Sequence, residues 1–233
     1  MNQSLFEKVC AWSGIICVTL FFGAFLCAGF IPPMSPSLGI DEVVAHYQQH
    51  TTGIRVGMGL MLLSSMFYTM FTAVISGQMR RIPGLSPTVT YTQLACGAFA
   101  SLTFLMPAIF FIAASFRPER NPELIYLMND LSWIMMVIPW MPFMPQNFSF
   151  AFAILSDRRA QPLFPRWLGF LNIWAPISFT PGILLPFFKS GPFAWNGLLV
   201  LWIPALIFIV WFVAVTLMLL KAIDRHSTSC PAS

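Results

Sequence analysis

The chain has 233 residues, of which 58 % are hydrophobic and only 9 % charged, and its formal net charge is +4. Soluble domains are roughly one quarter charged, so too few polar side chains exist here to cover a water-exposed surface. A soluble globular domain is excluded, and the small positive balance carries information through its distribution rather than as a nucleic-acid-binding face.

A hydrocarbon core about 30 Å thick is crossed by roughly 20 apolar residues of helix. Six runs meet that length, over 9–31, 54–79, 89–116, 124–156, 167–188 and 193–220, and only Arg55 and Asp130 put charge inside them. The predicted fold is all-α: one polytopic membrane domain of six transmembrane helices over 1–225, followed by a disordered tail over 226–233. The first run is longer than the apolar region of a secretory signal and no A-x-A site closes it, so it is expected as an uncleaved span.

After the first span, Ile40, Val43, Val44 and Tyr47 recur at helical spacing while Asp41, Glu42, Gln48 and Gln49 point elsewhere. This predicts a short amphipathic helix over 40–50, lying in the headgroup region. Glu42, His46 and His50 fall four residues apart on it. Imidazoles at that spacing can share zinc or copper with a carboxylate one turn away, which makes the three candidate metal ligands. The alternative is the polar face of an interfacial helix.

In the second span, Gly53-x-x-x-Gly57 with Gly59 nearby gives a small-residue face for close helix packing. Met58, Met61, Met66 and Met70, with Met135, Met136, Met141 and Met144 in the fourth span, raise a copper(I) reading. Those in the second span spread over half its circumference, which suits flexible packing better.

The fourth span opens on Asn121, Pro122 and Glu123, a strong helix-start signal. A straight helix over 124–156 would be about 50 Å long, more than the core needs. Pro139, Pro142 and Pro145 must break or kink it, because each removes a backbone donor and clashes with the preceding turn. Lipid cannot satisfy the freed carbonyls, so this stretch is expected to face helices, water or a ligand. Trp140, Met144, Gln146 and Asn147 at the break, with Asn172 in the fifth span beside Pro176, Pro181 and Pro186, are the candidate ligand-binding residues. Asp130, the one acid within a span, joins them as an expensive intramembrane charge; reaching interfacial water is its plainer role.

Two loop patterns recur. Phe30-x-Pro32-x-x-x-Pro36-x-Leu38 returns as Phe116-x-Pro118-x-x-x-Pro122-x-Leu124, and Arg80-Arg81-x-x-x-Leu85-x-Pro87 returns as Arg158-Arg159-x-x-x-Leu163-x-Pro165. They read either as parallel repeated helical hairpins or as ordinary features of membrane loops. Placing the N-terminus inside puts eight Lys and Arg, including both Arg pairs, on the inner side and Arg55, Arg117, Arg120 and Lys189 outside. The expectation is therefore a multi-pass cell-membrane protein with both termini cytoplasmic.

Cys10, Cys17, Cys27, Cys96 and Cys230 form no C-x-x-C pair or disulfide framework. The histidines lie outside the spans, and no P-loop, G-x-S-x-G or H-E-x-x-H occurs, which argues against catalysis within the bilayer and indicates no particular cofactor. The leading expectation is binding or transport of an apolar or aromatic small molecule at the proline break. A non-catalytic subunit or scaffold, as a homo- or hetero-oligomer, and a metal-binding protein using the outer-loop histidines are the alternatives.

Overall fold

A computed structural model describes residues 3–229 and is all-helical. Six of its helices are long and apolar enough to cross a membrane: Gln3–Cys27, Thr51–Met79, Pro87–Phe116, Pro122–Ser156, Arg166–Phe187 and Leu198–His226. Helix α1 (Gln3–Cys27) leads through a loop to α2 (Ile40–Gln49) and then α3 (Thr51–Met79). The third span is α4 (Pro87–Ala100) and α5 (Leu102–Phe116), the fourth α6 (Pro122–Val137) and α7 (Phe143–Ser156). The fifth is α8 (Arg166–Ile177) with a 3-10 segment, Thr180–Phe187, and the last is α9 (Ile203–Ser229) preceded by a π-helical turn, Leu198–Trp202.

Local chemistry explains the starts. Asn121 accepts from Glu123 N at 2.9 Å with Pro122 in the first turn, and Ser86 accepts from Thr88 N at 3.3 Å with Pro87 beside it. Arg55 closes the other end of the third span. Its guanidinium donates to Ser115 O at 2.7 Å and Phe116 O at 3.0 Å, satisfying carbonyls that a helix C-terminus leaves unpaired.

The helices α1 and α3 form the tightest pair. A Cβ on Gly53 would overlap the Cys27 carbonyl oxygen and one on Gly57 the Ala24 carbonyl oxygen, so the expected small-residue face is used, against α1. Gly59 faces open space. On the side that carries the Arg pairs, Arg81 binds Glu7 at 2.8 Å and Lys8 binds Asp224 at 2.7 Å, tying α1 to α3 and α9. The loop after α7 is held by Asp157, which accepts from Arg159 Nε at 2.8 Å and Leu163 N at 2.8 Å. The Arg159 bonds hold its carboxyl down at about 2, so it is ionised at neutral pH.

Helix α2 turns its apolar face to the bundle: Val43, Val44 and Tyr47 are buried, and this face packs on α6 and α3. Tyr47 Oη donates to Asn129 Oδ1 at 3.1 Å, and Tyr126 Oη donates to Leu38 O at 3.1 Å, so polar groups on α6 capture this region. At the C-terminal end α9 continues to Ser229, while 230–233, with Cys230, lie outside the described residues.

The spans are least regular where prolines sit, and in one further place. Pro139 has φ −76°, ψ 39°, and divides α6 from α7. Pro204, lacking an N–H, denies Val200 O its usual donor, and the turn before it widens so that Ile203 N donates to Leu198 O. The third span also breaks at Ser101, whose hydroxyl donates to Ala98 O at 2.6 Å, competing locally with the helical ladder.

The α1–α3 contact gives a paired test. Gly57→Ala is expected to cost about 1–3 kcal/mol through overpacking, whereas Gly59→Ala leaves stability unchanged or slightly improved. Thermal unfolding of the two variants in detergent reads the difference.

Candidate functional site

Five of the spans converge on the ring of Phe208. It lies 6.2 Å from Phe21 of α1, 6.3 Å from Phe104 of α5, 5.8 Å from Phe143 of α7 and 6.0 Å from Phe179 just past α8, while Phe208 itself belongs to α9. Most of these pairs are edge-on, the geometry that the ring quadrupole favours. Among these rings lies a cavity of about 150 Å³.

Two irregular backbones build its remaining walls. Pro139 and Trp140 come from the break in the fourth span, and Val200, Leu201, Trp202 and Pro204 come from the widened turn of the sixth. Phe25, Phe30 and Ile31 close the side towards the α1–α2 loop. The cavity therefore forms where two proline-distorted helices cannot pack as regular cylinders.

Almost nothing polar faces it. Tyr68 lines the wall, yet its hydroxyl donates to Gln146 Oε1 at 2.7 Å. Thr103, also in the wall, donates to Ala100 O at 2.7 Å. Trp140 Nε1 is buried without a partner, and a Cβ added to Gly182 would stand 3.2 Å from it. No charged side chain is part of the lining.

The predicted amides stand behind the wall rather than in it. Gln146 Nε2 donates to Thr72 Oγ1 at 3.3 Å, Gln93 Nε2 donates to the same oxygen at 2.9 Å, and Ser76 Oγ bonds Gln93 Oε1. This chain from Tyr68 to Ser76 joins α3, α4 and α7, and all five side chains are buried. Gly97 permits it, since any Cβ there would overlap Thr72 Oγ1. Asn147 Nδ2 donates to Phe143 O at 2.7 Å while its Oδ1 is buried without a partner. Asn172 Nδ2 donates to Leu168 O at 2.8 Å and its Oδ1 accepts from Trp211 Nε1 at 2.9 Å.

Of the residues expected to bind ligand, Trp140 alone reaches the cavity. Met144 is half-buried on α7, and Asp130 is half-buried on α6 with its Oδ1 3.5 Å from Asn129 Nδ2. Gln146 and Asn172 bond to neighbouring helices, whereas Asn147 bonds only within α7. The residues missed by sequence reasoning are the phenylalanines of α1, α5 and α9 and the turn before Pro204. A proline inside the last apolar run was a readable signal of the latter, by the same logic applied to Pro139.

The outer-loop trio is drawn into structural bonds. Glu42 Oε2 accepts from Gly39 N at 2.9 Å, and His46 Nε2 lies 3.2 Å from Ala28 O. The rings of His46 and His50 are 4.5 Å apart, and His46 stacks on Phe30 at 5.2 Å. Burial, reinforced by the nearby His50, pushes the His46 imidazole below its ordinary value, so it is neutral at pH 7. Among the described residues, no three of His, Cys, Asp and Glu gather into a metal-ligand set.

No family model matches this chain, and neither the curated proteins nor the solved structures contain a match to it.

The position of the amides predicts how their removal reads out. Gln146→Ala leaves the Tyr68 hydroxyl without its acceptor and is expected to lower stability by about 1–3 kcal/mol. Chemical unfolding in mixed micelles checks this, with Met144→Ala, at a half-buried site outside the network, as the milder comparison.

Proposed function

We propose that this integral membrane protein binds a small apolar or aromatic molecule in the cavity around Phe208, and that such molecules are what it holds or passes across the bilayer. The observation that carries the reading is the cavity's lining: aromatic and aliphatic on every side, with its hydroxyls already bonded within the protein. Ligand pockets of this class are largely apolar, and an apolar cavity of about 150 Å³ stays dry and accepts a single-ring aromatic. A charged or strongly polar ligand would lose its hydration here with at most the Trp140 indole N–H to replace it.

The Arg and Lys distribution supports a cell-membrane protein with both termini cytoplasmic, since the Arg80–Arg81 and Arg158–Arg159 pairs share one side. In that orientation the cavity opens in the half of the bundle facing away from the cytoplasm.

Ala205 lines the cavity, and enlarging it tests the reading. A single-ring aromatic supplied at about 100 times its dissociation constant should stabilise the wild type by about 2.7 kcal/mol, by mass action. Ala205→Phe should fold and fail to respond, because its ring occupies the ligand's space. A wild type that no apolar compound stabilises, or a variant that responds equally, would contradict the assignment.

A further inference from the structure

The cavity has a mouth, and its position says from where it is filled. The wall is buried or half-buried except at two residues, Ile31 and Trp202, which are 43 % and 44 % exposed. Ile31 follows the end of α1, and Trp202 lies in the first turns of the sixth span, so the opening sits at the end of the bundle that carries α2. From there the space descends past Phe21 and Phe104 to Trp140 and Phe208, near the middle of their spans.

The surroundings of this mouth are those of a lipid-facing surface. Leu26, Ile203 and Leu206, beside it along α1 and α9, are exposed at 66 %, 37 % and 63 %. No charged residue belongs to the lining, so a solute arriving from water would meet no group to replace its hydration at the entrance. An aromatic such as Trp202 near a span end is at home at headgroup level.

We propose that the cavity takes the end of a lipid hydrocarbon chain, which enters sideways between Ile31 and Trp202 from the leaflet on the α2 side. This rests on the reading of the cavity as an apolar binding site and adds both the ligand's class and its route. Occupancy follows ligand concentration over dissociation constant, and in a bilayer acyl chains outnumber every other apolar molecule. A cavity of about 150 Å³ holds one end of a chain, not a whole lipid, so the headgroup stays outside at the interface. The lining hydroxyls of Tyr68 and Thr103 need no partner from the lipid chain, being already bonded within the protein.

The test uses the full-length protein in vesicles made from phosphatidylcholine bearing a photoactivatable diazirine at the end of one acyl chain. A second set of ordinary vesicles receives a small free hydrocarbon diazirine. Labelled residues are then mapped by peptide mass spectrometry. The proposal predicts that the lipid probe labels Phe21, Phe104, Phe208 or Trp140, and that Ala205→Phe reduces this interior labelling by about tenfold or more while labelling of Leu206 persists.

If the lipid probe marks only exposed positions such as Leu206 while the free probe marks the interior, the lipid-chain assignment is overturned and the binding site stands. If neither probe reaches the interior, both fall. Equal interior labelling in wild type and Ala205→Phe would also overturn the proposal, because the label would then not depend on the cavity.

Discussion

Every backbone carbonyl in a lipid-embedded segment needs a donor from within the protein, and proline takes donors away. That conflict organises this molecule. Pro139 and Pro204 interrupt the fourth and sixth spans, and both line the cavity. Two distorted segments facing the same interior cannot be packed to the density of regular helices, and the space between them is filled only at its edges, by rings from five spans. The tightest contact in the bundle, between α1 and α3 at Gly53 and Gly57, gives the frame against which that loosely filled region is held.

The polar side chains within the spans serve the frame. Tyr68, Gln146, Thr72, Gln93 and Ser76 bond one another across α3, α4 and α7, and Asn172 bonds Trp211 across α8 and α9. Buried networks of this kind are costly when incomplete and specify a single arrangement when satisfied. Tyr68 belongs to both worlds: its ring is cavity wall and its hydroxyl is network. Anchoring the wall through polar bonds behind it leaves the face towards the cavity apolar. The outer helix adds a lid-like edge, with His46 stacked on Phe30, which also lines the cavity.

The spans were legible in the sequence because hydropathy and helix punctuation are local: the run over 54–79 corresponds to Thr51–Met79, and Asn121 with Pro122 marks the start of α6. The break at Pro139 was legible for the same reason. Where an amide points is not a local property. Gln146 lies where expected, one turn beyond the break, yet it turns to Tyr68 and Thr72 because α3 passes on that side. The docking of α2 was hidden likewise, since it depends on Asn129, 82 positions from its partner Tyr47. The break at Ser101 comes about one and a half turns before Pro107, which deprives Thr103 O of its usual donor, and the Ser101 hydroxyl's bond to Ala98 O accompanies it. The position of the aromatic-lined cavity was not legible, because phenylalanines in an apolar run do not declare which face they occupy.

The claim on which this account depends is that proline-distorted fourth and sixth spans keep an apolar space open at the centre of the bundle. Crystallography of the protein under xenon pressure tests it directly, because xenon enters dry apolar cavities and scatters anomalously. The account predicts a xenon peak enclosed by Phe21, Phe104, Phe208 and Trp140. No peak, with those rings closed onto one another and the turn before Pro204 packed as a regular helix, would contradict it.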